Sequence, residues 1–159
     1  MIPNRLVLDT NVVLDLFVFR DPRWARLLNA LQSGAVHAVT RADCRDEWEH
    51  VLHYPHLPLE ADTRAAASAE FNRLILMTDS RAAAAPLPAC SDRDDQKFLE
   101  LARDSQAAML ITKDKALLKL ARRIAKAGMF RILTPEAWLR EQAAGGTAHL
   151  SATPGMPLE

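Results

Sequence analysis

Two aspartates follow apolar segments that predict buried strands. Asp9 comes immediately after Leu6-Val7-Leu8, and Asp114 comes two residues after the apolar segment 109–112. In open parallel sheets the carboxyl ends of the strands border the crevice in which ligands bind, so we expect the two carboxylates to face each other across one cleft. The alternative for each aspartate alone is structural, since aspartate commonly caps the helix that follows a strand.

Two further acids are predicted to border the core on helices. On a helix, Asp95 shares a face with the apolar residues three, four and seven positions later, and capping does not explain a carboxylate on that stripe. Glu47 lies three residues after Cys44 and four before Val51, so it also borders an apolar stripe. The alternative for Glu47 is a surface residue whose apolar stem packs at the edge of the core.

Together the four carboxylates predict a divalent-metal site. Carboxylates that converge without compensating bases repel one another and have raised pKa values, and a bound divalent cation removes this penalty. Ligands made only of carboxylate oxygens select hard ions, so the expected cofactor is Mg²⁺ or Mn²⁺ rather than zinc. Such an ion polarises a phosphate and generates or orients a hydroxide nucleophile, which makes phosphoryl chemistry the expected reaction class.

A basic segment surrounds Asp114. Between residues 113 and 131 the chain has seven basic residues and one acid. In the helix predicted over 115–127, four of these residues recur every three or four positions and form a stripe of one charge sign, whereas a merely solvated face usually mixes signs. The stripe is therefore predicted to contact backbone phosphates of a substrate. The predicted substrate-binding residues are Lys113, Lys115, Lys119, Arg122 and Lys126.

Other groups of residues give weaker indications of function. His50, His53 and His56 have HxxHxxH spacing, but Pro55 interrupts the helix that would hold them together. They are interpreted as surface residues at a helix end, with zinc binding as the minor alternative. The nine aromatic residues mostly fit apolar stripes, and no base-stacking platform is predicted. The five glycines form neither a dinucleotide fingerprint nor a P-loop, which argues against dinucleotide and ordinary NTPase functions.

Strands alternate with helices along the chain, which implies βαβ crossovers and therefore a mostly parallel sheet of four to five strands with helices on both faces. Residues 1–142 are predicted to form one domain, and residues 143–159, rich in Gly, Pro, Ala and Thr, a flexible C-terminal tail. The predicted strands are 6–8, 36–39, 109–112 and 130–133, and the predicted helices are 24–33, 44–52, 60–77, 92–104, 115–127 and 135–142.

Composition limits the function classes. The chain has 159 residues, with 20 basic and 20 acidic side chains and a formal net charge of zero. This balance excludes a generally basic nucleic-acid coat and an acidic disordered protein, although it allows a local basic patch. The sequence shows neither a signal-peptide pattern nor an apolar run of the ~18 residues that a membrane span requires, so a cytoplasmic location without a membrane partner is predicted.

Four segments occur in an order that resembles a known family, the PIN-domain nucleases. More narrowly, the set resembles the branch formed by the toxins of toxin–antitoxin pairs, and the resemblance extends from about residue 5 to residue 140. The segments are 7–11 (VLDTN), 46–52 (DEWEHVL), 91–99 (SDRDDQKFL) and 110–118 (LITKDKALL).

The resemblance implies a three-layer α/β/α sandwich and the active site of a metal-dependent endoribonuclease. It assigns the family's four acidic, catalytic positions to Asp9, Glu47, Asp95 and Asp114. Of these, Asp9, Asp95 and Asp114 are the predicted ligands of Mg²⁺ or Mn²⁺. Accessory positions fall on Thr10, Asn11, Asp92, Asp94 and Thr112.

The resemblance also implies partners: an RNA substrate, a cognate antitoxin that blocks the cleft as part of a type II pair, and a second copy in a homodimer. The chain departs from the branch at Arg93, where proline is usual, and at Lys113, where glycine is frequent, but neither change removes a ligand. Two other functions remain open, a phospho-receiver-like module and a catalytically silent module that binds RNA or a partner. A receiver has no need of Asp95 and Glu47.

Overall fold

Five parallel strands form a single sheet in the computed structural model, which describes residues 1–79 and 85–152. The strands are β1 (Ile2–Leu8), β2 (His37–Thr40), β3 (Ile75–Met77), β4 (Ala107–Ile111) and β5 (Arg131–Leu133), in the order β3-β2-β1-β4-β5. The central strand β1 pairs with β2 on one side and with β4 on the other. The strand order therefore reverses beside β1, which is where the ligand crevice of an open parallel sheet forms.

Eight helices connect and cover the strands of the described chain. They are α1 (Thr10–Phe17), α2 (Ala25–Ser33), α3 (Ala42–Val51), α4 (Ala61–Leu74), α5 (Gln96–Asp104), α6 (Lys115–Leu118), α7 (Ala121–Lys126) and α8 (Pro135–Ala152). Short 3₁₀ turns precede α2 and α5. None of the helices in the described ranges is long and apolar enough to cross a bilayer.

The two faces of the sheet bury two separate hydrophobic cores. Leu6 and Leu8 of β1 pack into the core that α1, α2, α3, α4 and α8 cover. The intervening Val7 packs into the second core, which α5, α6 and α7 cover. This alternation follows from the two-residue period of a strand. The predicted three-layer α/β/α sandwich with a parallel sheet is thus confirmed.

The predicted helix over 60–77 is wrong at its end. It stops at Leu74, and the next three residues form the edge strand β3, in which Ile75 pairs with Ala38 of β2. A short apolar run such as residues 74–77 fits either a helix end or a strand, and only the pairing with β2 decides between them.

The predicted helix over 115–127 is also wrong, because it is two helices. The N–H of Leu120 donates to the carbonyl of Leu117 rather than to that of Ala116, and α7 starts at Ala121. The basic residues of this segment therefore do not lie along one continuous helix. Nothing in the sequence of residues 119–120 explains the break.

The other helix boundaries differ less. Helix α3 begins at Ala42, with Arg41 as its N-cap residue, two residues before the predicted start at residue 44. Helix α8 continues to Ala152 instead of ending near residue 142, since the alanines of 143–152 favour a helix despite two glycines. Residues 153–159 of the predicted tail, and 80–84 of the loop predicted over 79–91, lie outside the described residues.

Gly34 ends α2 in the left-handed conformation, with φ +80°. A Cβ atom built at this position would lie 3.9 Å from His37, so the cost of a side chain is one of backbone conformation and not of collision. We expect Gly34→Ala to lower the free energy of unfolding by about 1 kcal/mol in urea denaturation.

The matched control is Gly145→Ala, since Gly145 lies within α8 and has nothing within 4 Å of its Cβ position. This second change should leave stability unchanged or raise it, because alanine favours a helix. Equal losses in the two variants would contradict the assignment of left-handed strain to Gly34.

Candidate metal centre

Asp9 lies at the carboxyl end of the central strand, buried under α1. Its backbone N–H donates to the carbonyl of Ile111, which continues the pairing of β1 with β4 by one residue. Although Asp9 is the N-cap residue of α1, its side chain makes no capping hydrogen bond. Its Oδ2 accepts instead from the Thr112 hydroxyl at 2.6 Å, and only 3% of the residue is exposed. Capping therefore does not explain Asp9.

Thr112 joins the ends of the two central strands. The residue is fully buried, and its hydroxyl donates to Asp9 while accepting the backbone N–H of Asp114 at 2.9 Å. Asp114 in turn caps α6, with its Oδ1 accepting from the N–H of Ala116 at 2.8 Å. Asp114 thus caps a helix, as the alternative of a structural role predicts, but only through Oδ1. The other carboxylate oxygen has no part in the cap.

Three aspartates bring oxygen atoms close together at this point. One carboxylate oxygen each of Asp92, Asp95 and Asp114 lies within 4.8 Å of the other two. Asp95 is on the buried side of its turn, with 8% of the residue exposed, and its buried Oδ2 has no hydrogen-bond partner among the described residues. A buried carboxylate oxygen without a donor calls for a partner of another kind, and a metal cation supplies one.

The electrostatics of the group agree with this interpretation. Burial, a hydrogen bond with Asp114 and the nearby negative charges raise the pKa of Asp95 to about 8. Burial also raises the pKa of Asp9, and although the Thr112 hydrogen bond opposes this shift, the charges of Glu47 and Asp114 add to it. The site thus holds more carboxylates than it can ionise together without a cation.

Both carboxylate oxygens of Glu47 have partners, beside the group of three aspartates. Its Oε2 accepts from the Thr10 hydroxyl, and its Oε1 lies 2.7 Å from the Lys97 ammonium. Lys97, two residues after Asp95, also donates to the backbone carbonyl of Asp94. No role was predicted for Lys97, because an ion pair between α3 and α5 leaves no pattern in the local sequence.

An open cleft of about 330 Å³ contains all four predicted catalytic residues, Asp9, Glu47, Asp95 and Asp114. Four of the five predicted accessory residues line it too, and the fifth, Thr112, lies buried behind Asp9. The aromatic and apolar part of the lining was not predicted, because most of it comes from the end of α3 and the connection between α3 and α4. The remaining lining residues are Leu14, Val51, Tyr54, His56 and Leu57.

The predicted substrate-binding cations do not line this cleft within the described ranges. Lys113 lies 2.5 Å from Oδ2 of the buried Asp15, which also accepts from the indole N–H of Trp24 at 3.2 Å. Lys113 therefore ties the loop after β4 to α1. The other four cations, Lys115, Lys119, Arg122 and Lys126, have exposed side chains.

The sequence profile of the PIN domain matches residues 5–116, more than two thirds of the chain, and this range includes every acid of the cleft. The chain belongs to the PIN-domain family. PIN domains are typically nucleases that depend on divalent metal ions, and among the described residues Asp92, Asp95 and Asp114 form an acidic group whose oxygens lie close enough together to hold one. A comparison with curated proteins gives no match.

The residues of this PIN domain fit a divalent ion. The group consists only of carboxylate oxygens, which are the ligands that Mg²⁺ and Mn²⁺ prefer. Asp95 and Asp114 belong both to the observed group and to the predicted set of ligands. The third member differs, because the observed group contains Asp92 where the sequence predicts Asp9. Asp9 as a ligand stays a prediction, and Asp9 lines the same cleft as these three aspartates.

Proposed function

We propose that this PIN domain is an endoribonuclease that hydrolyses RNA phosphodiester bonds with the help of Mg²⁺ or Mn²⁺. The observation that carries the proposal is the group of Asp92, Asp95 and Asp114, in which a buried oxygen of Asp95 has no donor. An acidic cleft of this kind repels a phosphodiester unless cations neutralise it. A binding module for RNA alone gains nothing from buried carboxylates, whereas a metal-dependent nuclease requires them.

In the proposed enzyme, Asp95 and Asp114 hold the ion together with Asp92 or Asp9. A bound Mg²⁺ or Mn²⁺ polarises the scissile phosphate and lowers the pKa of a bound water. Glu47 is a fixed acceptor at the edge of the cleft, since Thr10 and Lys97 hold its two oxygens. Each carboxylate oxygen still has a free lone-pair direction, so Glu47 is suited to orient the attacking water by accepting its proton.

The test is cleavage of end-labelled single-stranded RNA by the purified chain. We expect cleavage within the RNA strand in Mn²⁺, loss of cleavage in EDTA, and recovery when Mn²⁺ is added back in excess. Asp95→Asn protein purified in parallel controls for contaminating nuclease. Binding of Mn²⁺ and RNA without cleavage would favour the catalytically silent alternative, and a labile acyl-phosphate after treatment with a small phosphodonor would favour the receiver.

We extend the proposal to a cytoplasmic toxin of a type II toxin–antitoxin pair. The support is the resemblance of the four motif segments, together with a cleft whose lysine- and arginine-free lining suits a basic side chain of an antitoxin. Expression of the wild-type chain should then arrest growth, and co-expression of the neighbouring reading frame should relieve the arrest. A homodimer is part of the same proposal and is tested by the mass of the purified protein in solution.

A further inference from the structure

Aromatic and apolar side chains line the cleft together with the carboxylates. Tyr54 and His56 line the same cleft as Asp9 and Asp95, and Leu14, Val51 and Leu57 add apolar lining. Both ring residues come from the connection between α3 and α4. The cleft thus offers carboxylates for a cation and, in addition, aromatic surface of a different chemistry.

The rings are presented by an ordered turn. The N–H of Tyr54 donates to the carbonyl of Val51, and the N–H of Leu57 donates to the carbonyl of Tyr54. Leu57 is buried, and Arg64 of α4 donates to the carbonyl of Leu52 at 3.0 Å, which ties the connection to the body of the domain. A ring fixed in this way loses little conformational entropy when a ligand covers it.

Tyr54 is the centre of a small group of rings. The ring of His50 meets it edge-on, with centroids 5.6 Å apart, and the ring of His56 lies 5.7 Å away on a tilted plane. Despite these contacts, 40% of Tyr54 is exposed. An exposed aromatic ring that is supported by neighbouring rings and lines a cleft is suited to receive another flat ring.

The negative charge of the cleft makes its aromatic residues important for substrate binding. None of the described residues lining the cleft is Lys or Arg, and six of them are carboxylic acids. Phosphates alone therefore gain little attraction here apart from the metal ion. Affinity for a nucleic acid at this position must come mainly from its bases, and every base offers an aromatic face for stacking.

We propose that Tyr54 and His56 form a subsite that stacks a nucleobase of single-stranded RNA beside the metal centre. This inference rests on the proposed function and adds a specificity-determining element to it. Because the subsite uses stacking, it favours unpaired bases over a duplex, whose bases are already stacked on one another. The nucleotide bound there lies next to the cleaved bond.

The test measures equilibrium binding of a short single-stranded RNA that contains 2-aminopurine, with Ca²⁺ in place of Mn²⁺. Stacking of the 2-aminopurine on a ring quenches its fluorescence. We expect Tyr54→Ala to raise the Kd by about 5- to 100-fold and to abolish the quenching. Tyr54→Phe should bind like the wild type, because it keeps the ring, whereas His56→Ala should weaken binding. Phe19→Ala is the matched control, since Phe19 is an exposed aromatic residue that does not line the cleft.

RNAs with an abasic site at each position in turn complete the experiment. At one position, loss of the base should weaken binding to the wild type and cause no further loss with Tyr54→Ala. If Tyr54→Ala binds like the wild type, or if every abasic site weakens both proteins equally, the subsite is wrong, while Mn²⁺-dependent cleavage by the wild type leaves the proposed function intact. A wild-type chain that neither binds nor cleaves RNA overturns both.

Discussion

Asp95→Asn is expected to reduce Mn²⁺-dependent RNA cleavage by on the order of 100-fold or more. The amide keeps the shape of the side chain but removes the negative charge, and an amide is a poorer ligand for a hard cation than a carboxylate. Since Asp95 belongs to the group of three close aspartates and lines the cleft, its loss affects the ion directly. Calorimetry should show weaker Mn²⁺ binding in parallel with the lost activity.

The same substitution is expected to stabilise the metal-free protein. The pKa of Asp95 is raised to about 8 in the folded chain. Between about pH 4 and pH 8 the folded state therefore keeps a proton that the unfolded state has already lost. The free energy of unfolding therefore falls as the pH rises through this window, by at most about 1.4 kcal/mol per pH unit for one group. Asparagine has no proton to lose, so the variant avoids this fall.

Urea unfolding in EDTA at several pH values measures the effect. The difference in unfolding free energy between Asp95→Asn and the wild type should increase toward alkaline pH, and Mn²⁺ should reverse it by stabilising the wild type alone. Asp46→Asn serves as the control, because Asp46 is an exposed acid on α3 that does not line the cleft. A variant that loses activity and stability together at every pH would indicate a structural role for Asp95 instead.

The location of the acids was predictable because it depends on local patterns. Asp9 follows a buried strand, and Asp95 stands in sequence at the start of the apolar stripe of α5; both side chains are buried, as these patterns predict. The parallel sheet then follows from alternating strands and helices, and such a sheet directs the ends of β1 and β4 to one edge. Short-range periodicity and the known handedness of βαβ connections are enough to predict this arrangement.

The details of the site were not predictable, because they depend on contacts between distant segments. The inclusion of Asp92 in the closest group depends on the 3₁₀ turn that precedes α5, and a helix predicted from residue 92 does not contain that turn. The pairing of Lys113, a predicted phosphate contact, with Asp15 joins residues 98 positions apart. The ring of Tyr54 likewise reaches the cleft only because α3 packs against α1 and α5, which brings the turn after α3 to the cleft.

Thr112 shows how the fold itself prepares the site. Among the residues that the structure describes, its hydroxyl is the only side-chain donor to Asp9, and it also accepts the backbone N–H of Asp114. One buried hydroxyl thus links the carboxylate of Asp9, which follows β1, to the backbone of Asp114, which follows β4. The donor also opposes the pKa increase of Asp9, which keeps that carboxylate closer to its charged form.

Thr112→Val is therefore expected to damage the site more than its small change in shape suggests. Valine has nearly the same volume, but it leaves the Asp9 carboxylate and the Asp114 N–H without their partner, which should lower the free energy of unfolding by about 2 kcal/mol. Because the two carboxylates lose their common support, Mn²⁺ affinity should fall by about 10- to 100-fold. Denaturant unfolding and calorimetry measure the two effects.

Thr112→Ser distinguishes the effect of the hydroxyl from the effect of the methyl group. Serine keeps both hydrogen bonds and leaves a methyl-sized gap, so it should lose about 1 kcal/mol of stability but retain Mn²⁺ affinity. Stability alone does not distinguish the two variants well, whereas metal affinity does, because only the hydroxyl reaches Asp9 and Asp114. If both variants bind Mn²⁺ equally well, the hydroxyl does not position the carboxylates, and the alignment of the site must then come from the backbone of β1 and β4 alone.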